Sequence, residues 1–132
     1  MIVLDTHVLV WWVAKDARLS APASHAIENT LTNGGKVLVS AISAWEIAML
    51  LQRGRLSLTM DLDEWLGAVE SIEGVEWIAL SSRVAVHAAR LPGEFHKDPA
   101  DRFIIALARE RNVPLLTADE KIRCYSHVRS IW

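Results

Sequence analysis

Short apolar segments recur along this chain with helical segments between them, and this alternation restricts the fold more than any other feature. Strands are predicted at residues 2–4, 37–40, 77–80, 114–117 and 128–132. Short apolar strands that alternate with helices form parallel sheets that are covered on both faces and joined by right-handed crossovers. We therefore expect an α/β fold with helices on both sides of a central, mainly parallel sheet of about five strands.

Caps and breakers mark the predicted helices. Ser20 opens one helix, and Ser43 with Glu46 has the spacing of a capping box, so another helix is expected to begin at Ser43. Trp45 and Trp65 lie among periodic apolar residues and are expected in the core. Helices are predicted at residues 7–15, 20–33, 43–54, 61–74, 82–90, 99–112 and 119–125, with a surface loop at 91–99.

Length and composition favour one globular domain, residues 1–132, which can bury about two-thirds of its unfolded surface. Hydrophobic residues make up 52% of the chain, and no apolar run approaches the roughly 18 residues of a membrane span. The first residues carry Asp5 and His7 inside an apolar stretch, which argues against a secretory signal. The single cysteine, Cys124, has no disulfide partner, so we expect a cytoplasmic protein without membrane contact.

The net charge of −2 does not indicate nucleic-acid binding, because most such proteins carry an excess of Lys and Arg. Ten of the fourteen basic residues are Arg, however, and the planar guanidinium suits phosphate. Five of these residues fall near the acidic positions described next: Arg53, Arg55, Arg102, Arg109 and Arg111. Basic charge segregated to one surface is therefore compatible with the sequence.

Four acidic residues stand where predicted strands end or the following helices begin. Asp5 and Asp119 follow two strands, Glu46 is expected in the first turn of a helix, and Asp101 opens the helix at 99–112. The carboxyl ends of parallel strands share one edge of a sheet, so these side chains are expected to converge. Converging carboxylates repel one another unless a cation neutralises them, and an all-oxygen ligand set suits Mg²⁺ or Mn²⁺. Such a site can hydrolyse a phosphodiester.

The segments LDTHVLVWW, SAWEIAMLLQRGRL, KDPADRFIIALA and LLTADEKI together resemble the PIN domain, specifically the VapC-like toxins of toxin-antitoxin pairs. The resemblance covers nearly the whole chain and implies a PIN-like three-layer α/β/α sandwich. It implies that the catalytic and metal-binding residues are Asp5, Glu46, Asp101 and Asp119. Residues that support these ligands or contact substrate are expected to be Asp98, Thr117, Thr6 and Arg102.

The same resemblance implies an endoribonuclease that hydrolyses tRNA, rRNA or mRNA with Mg²⁺, for which Mn²⁺ can substitute. It also implies that the protein inhibits translation and growth, forms a homodimer and is silenced by a VapB-like antitoxin. An antitoxin segment with a basic side chain that reaches an acidic pocket is physically sensible.

Each candidate also has a structural interpretation. Glu46 could complete a capping box, Asp101 could complement a helix dipole and Asp119 could cap the last helix. His7 is most simply a satisfied buried histidine and His96 a solvated loop residue. Two other functions stay open at this point. A receiver-like signalling domain would also place Asp and Mg²⁺ at strand ends, and a non-catalytic RNA-binding module could keep the fold without cleaving.

Overall fold

The computed structural model describes residues 1–132 and contains five strands and seven helices. The strands are β1 (Ile2–Leu4), β2 (Val37–Ser40), β3 (Val75–Ile78), β4 (Leu115–Leu116) and β5 (Ser130–Ile131). The helices are α1 (Thr6–Ala14), α2 (Ala21–Thr32), α3 (Ala41–Gln52), α4 (Leu62–Glu70), α5 (Ser82–Ala89), α6 (Pro99–Arg111) and α7 (Glu120–Arg123).

All five strands are parallel and lie in the order β3-β2-β1-β4-β5. The first strand is therefore at the centre, and the residues after β1, β2 and β4 come to neighbouring positions at one edge of the sheet. The predicted parallel sheet of five strands is confirmed. None of the helices has both the length and the apolar character that crossing a lipid bilayer requires.

Successive residues of the central strands face opposite sides of the sheet and bury both of its faces. Val3 and Leu38 pack in one core cluster with residues of α5 and α6. Leu4 and Val39 pack in the other, with residues of α1, α2 and α4. Two cores on either side of one sheet make the three-layer α/β/α sandwich that the sequence predicts, and they explain why the strands read as continuous apolar runs.

The third strand begins and ends two residues earlier than predicted. Val75 pairs with Val37 and Ile78 with Ser40, so the parallel partner fixes the position of β3. Leu80, which was expected inside the strand, lies beyond it and is 44% exposed. The apolar character of residues 77–80 therefore did not identify the paired segment.

Helix α3 begins before the predicted position. Ser40 is its N-cap and accepts a hydrogen bond from the Ile42 amide at 3.2 Å. The prediction of a capping box at Ser43 and Glu46 is therefore wrong. Ser43 is buried inside the helix, and Glu46 lies in the second turn of the helix instead of the first.

The core prediction held for one of the two tryptophans. Trp65 on α4 is buried at 5% exposure, as expected. Trp45 on α3 is 54% exposed, so its assignment to the core is wrong.

Candidate metal-binding active site

Four acidic side chains line one open cleft of about 330 Å³ at the carboxyl edge of the sheet. They come from segments far apart in sequence: Asp5, Glu46, Asp101 and Asp119. The structure brings together all four residues that the sequence analysis selected as ligands. Asp5 directly follows β1 and Asp119 lies three residues after β4, and these parallel strands end at a common edge.

Asp5 is the most enclosed of these residues, with 3% of its surface exposed. It caps α1, and its Oδ1 accepts a hydrogen bond from the Thr6 amide at 2.8 Å. Its Oδ2 accepts a hydrogen bond from the Thr117 hydroxyl at 2.7 Å and lies 3.7 Å from Nδ1 of His7. Burial raises the pKa of Asp5, while His7 and the Thr117 hydrogen bond oppose the rise. The carboxyl group is thus held in one orientation.

Glu46 reaches the cleft from α3 and is oriented by hydroxyl groups. The Thr6 hydroxyl donates to Oε1 of Glu46 and lies 2.8 Å from Oγ of Ser43. Burial raises the pKa of Glu46, the Thr6 hydrogen bond lowers it, and the charges of Asp5 and Asp98 raise it further. Thr6, which was predicted as a supporting residue, contacts a proposed ligand directly.

Asp101 carries the strongest sign of crowded negative charge. Burial raises its pKa to about 8, and the negative charges of Asp5, Asp98, Asp119 and Glu46 contribute in that order. A divalent cation would neutralise several of these carboxylates at once. The donor set therefore fits a hard divalent cation, which is what the sequence predicted on chemical grounds.

His96 also belongs to this site, although it was expected to be a solvated loop residue. Its Nε2 lies 3.1 Å from Oδ2 of Asp101, is buried and has no hydrogen-bond partner. A group of three potential ligand atoms lies within 4.8 Å of one another: a ring nitrogen of His96 and one carboxylate oxygen each of Asp101 and Asp119. His96 lies in the loop between α5 and α6. No helical or strand periodicity in the sequence therefore predicted that it would approach Asp101. His96 thus lies against two of the acidic residues of the site.

Asp98 and Asp119 both act as helix caps at the rim of the site. Oδ1 of Asp98 accepts hydrogen bonds from the amides of Ala100 at 3.0 Å and Asp101 at 3.3 Å. Oδ1 of Asp119 accepts one from the Lys121 amide at 2.9 Å. The capping interpretation of Asp119 is therefore correct, and Asp119 also lines the cleft.

Arg102 contacts main-chain carbonyl groups. Its guanidinium donates to the carbonyls of Ala88 at 2.9 Å, Phe95 at 3.2 Å, His96 at 3.3 Å and Ala89 at 3.4 Å. These bonds tie the loop that carries His96 and Asp98 to the end of α5. A substrate contact of Arg102 stays a prediction, whereas its support of the loop is visible.

His7 has a hydrogen-bond partner, as expected, but it is not buried, because 31% of its side chain is exposed and it lines the cleft. Its Nε2 accepts a hydrogen bond from the Ala118 amide at 2.9 Å. This bond joins α1 to the segment after β4 and fixes the proton on Nδ1, which faces Asp5.

Several known proteins are similar to this chain in sequence or in fold. Residues 2–127 match the PIN domain. The chain is 38% identical over 130 residues to Ribonuclease VapC22 of Mycobacterium tuberculosis, a match that covers 98% of this chain and 95% of that protein.

Two solved structures have a similar fold at low sequence identity. VapBC2 from Rickettsia felis, bound to a DNA fragment from its promoter, has a TM-score of 0.68 at 16% identity and covers 98% of this chain and 97% of that chain. FitAcB from Neisseria gonorrhoeae has a TM-score of 0.65 at 18% identity, and the match covers 98% of this chain and 96% of that chain. The resemblance to VapC-like PIN domains that four sequence motifs indicated is confirmed, and this chain belongs to the PIN-domain family.

Proposed function

We propose that this protein is a metal-dependent endoribonuclease, the toxin of a toxin-antitoxin pair. The observation that carries the proposal is the convergence of Asp5, Glu46, Asp101 and Asp119 in one cleft, where burial and then the neighbouring carboxylates raise the pKa of Asp101 to about 8. Such an arrangement costs stability unless it serves to hold a cation. The identity to a protein named as a ribonuclease supports RNA as the substrate.

The cation would be held by carboxylate oxygens of Asp5, Glu46, Asp101 and Asp119, with Mg²⁺ as the natural ion and Mn²⁺ as a substitute. When bound, a divalent cation lowers the pKa of a water molecule and offsets negative charge at a phosphate under attack.

The protein's own groups prepare this chemistry. Thr117 and the Thr6 amide hold both oxygens of Asp5, and the Thr6 hydroxyl orients Glu46. The carboxylates are thus placed before substrate arrives, so little reorganisation is needed during the reaction. Asp98 fixes the first turn of α6 and with it the backbone of Asp101.

The proposed partners follow from the family. A further solved structure with a similar fold, at 15% identity and a TM-score of 0.61, is named as a toxin-antitoxin complex, and on that likeness we propose a VapB-like antitoxin that covers the acidic cleft. A homodimer and action on tRNA, rRNA or mRNA in the cytoplasm are further parts of the proposal. Sedimentation of the purified chain, alone and with a candidate antitoxin, measures both associations.

The decisive assay is cleavage of total cellular RNA by purified protein in Mg²⁺, followed by mapping of the new 5′ ends. Wild type should give discrete ends, and Asp5→Asn and Glu46→Gln should lose them. Asp63→Asn, an exposed acid on α4, is the matched control and should cleave normally. EDTA should inhibit, and Zn²⁺ should substitute poorly.

Discrete ends produced by Asp5→Asn at the wild-type rate would contradict the proposed nuclease. RNA binding without cleavage by the wild type would instead favour a non-catalytic binding module. Stable phosphorylation of an aspartate would favour a receiver-like domain.

A further inference from the structure

The cleft is lined by two chemically different sets of side chains. One set is the carboxylates, and the other consists of basic and aromatic side chains, which are Trp11, Arg18 and Arg55. A site that only held a metal and a phosphate would not need an indole. We therefore expect the indole of Trp11 to serve a ligand group that is flat and uncharged.

Trp11 is held firmly in place by two other aromatic rings. The His7 ring lies 5.0 Å from it and the Trp132 ring 5.8 Å, both tilted against the indole. His7 is itself fixed by the Ala118 amide at 2.9 Å. Trp11 is thus a preorganised surface, and its orientation costs little entropy when a ligand binds.

Arg18 lies over Trp11, with its guanidinium carbon 4.9 Å from the ring centroid. Asp16 accepts two hydrogen bonds from the guanidinium, from Nε at 3.1 Å and from Nη2 at 2.8 Å. This pair lowers the pKa of Asp16 to about 2, so the aspartate stays ionised at any physiological pH. The Arg18 side chain is nevertheless 67% exposed.

These contacts decide what Arg18 can bind. An arginine recognises phosphate through the bidentate edge of its guanidinium, and Asp16 occupies that edge. The planar face remains available, and guanidinium planes and aromatic rings are the surfaces on which unpaired bases stack. Arg55, an exposed residue that lines the same cleft, is better suited to a backbone phosphate.

The stack of Arg18 on Trp11 is connected to the carboxylates through His7. His7 is 3.7 Å from Asp5, its ring is 5.0 Å from Trp11, and Trp11 is 4.9 Å from Arg18. A strand with one phosphate among the carboxylates can therefore place one of its other bases at this stack in the same cleft.

We propose that Arg18 and Trp11 form a nucleobase subsite, on which a base of the single-stranded RNA bound in this cleft stacks. This inference rests on the proposed ribonuclease function and adds a specificity-determining site to it. Base stacking on such platforms is sequence-tolerant, so the subsite selects unpaired RNA over duplex RNA.

The test compares two 5′-fluorescein-labelled oligomers of equal length, oligoadenylate and an abasic oligomer with the same ribose-phosphate backbone. Binding is measured by fluorescence anisotropy with Ca²⁺ in place of Mg²⁺, and gels verify that the RNA stays intact. One stacked base contributes about 1–3 kcal/mol, so wild type should prefer oligoadenylate by about 5- to 150-fold.

Three variants make the test specific. Arg18→Lys keeps the charge but loses the plane, so it should bind the abasic oligomer as wild type does and lose most of the preference. Asp16→Ala removes the side-chain acceptor, which frees the guanidinium edge for phosphate, and should bind the abasic oligomer more tightly, with a smaller preference. Arg83→Lys, on an arginine that is 82% exposed on α5, is the matched control and should keep the full preference.

Full preference in Arg18→Lys would overturn the subsite and leave the stack as a contact for a protein partner or for the fold alone. If wild type neither binds nor cleaves RNA, the ribonuclease proposal fails. If wild type and Arg18→Lys bind and cleave both oligomers equally well, only the subsite fails.

Discussion

The hydroxyl of Thr117 donates a hydrogen bond of 2.7 Å to Oδ2 of Asp5, across 112 positions of sequence. The two residues follow β4 and β1, which pair in parallel with Leu4 beside Leu116. The same hydroxyl accepts a hydrogen bond from the Asp119 amide at 3.0 Å. One side chain thus fixes the orientation of a buried carboxyl group and the start of the segment that carries another.

Thr117→Val should destabilise the fold by about 1–3 kcal/mol, because the shape is kept while a buried carboxyl oxygen loses its partner. It should also weaken Mn²⁺ binding, since Asp5 would no longer be held in one orientation. Urea unfolding and Mn²⁺ titration measure the two effects. Thr117→Ser retains the hydroxyl and should stay close to wild type. Equal stability of Thr117→Val and wild type would show that this bond does not support the site.

The metal-free protein should become less stable as the pH rises from about 4 to about 8. Asp101 has a pKa of about 8 when folded, against 3.8 as the ordinary value, so the folded state binds more protons than the unfolded state in this interval. We expect a loss on the order of 2–4 kcal/mol in the free energy of unfolding. Asp101→Asn should flatten the dependence and be the more stable protein at pH 8. A wild-type stability that rises over this interval would contradict the crowding of carboxylates.

Mg²⁺ should reverse that loss. A ligand that binds only the folded state stabilises it by about 2.7 kcal/mol at one hundred times its dissociation constant. The gain should be larger at pH 8 than at pH 5.5, because protons compete for the same oxygens at low pH. Thermal unfolding with and without Mg²⁺ at both pH values measures it. Protection by Mg²⁺ that persists undiminished in Asp101→Asn would place the ion elsewhere.

Arg102→Met should loosen the loop that carries His96 and Asp98. The substitution keeps an apolar stem but removes every hydrogen bond to the carbonyls of residues 88, 89, 95 and 96. Limited proteolysis should cut within residues 91–98 sooner than in wild type, and unfolding should cost about 1–3 kcal/mol less. Arg111→Met, at the exposed end of α6, is the matched control. An unchanged proteolysis pattern would leave Arg102 without the structural role assigned to it.

The sequence predicted the sheet and the convergence of the acids because both follow from local signals and one topological rule. Asp5 and Asp119 each follow an apolar strand, and parallel strands end at one edge. Thr117 was also found, through the resemblance to PIN domains. These residues needed no knowledge of distant contacts beyond the order of the sheet.

The errors arose where a tertiary contact decides between two equal local signals. Ser40 and Ser43 are both good caps, and the pairing of β2 with β3 determines that the strand ends and the helix begins at Ser40. Arg102 donates to main-chain carbonyl groups, which every residue has, so its partners cannot be predicted from a sequence pattern. His96 enters the site only because the loop between it and Asp101 folds back, and Trp45 is exposed because its face of α3 has no neighbour in this chain.

The central claim is that the carboxylates of this cleft share a divalent cation, and anomalous X-ray diffraction from crystals soaked in Mn²⁺ tests it most directly. We predict one or two anomalous peaks within coordination distance of Asp5 and Asp101, and their loss in Asp101→Asn crystals. Peaks found only away from the cleft, or none with Mn²⁺ in large excess at pH 8, would contradict the account.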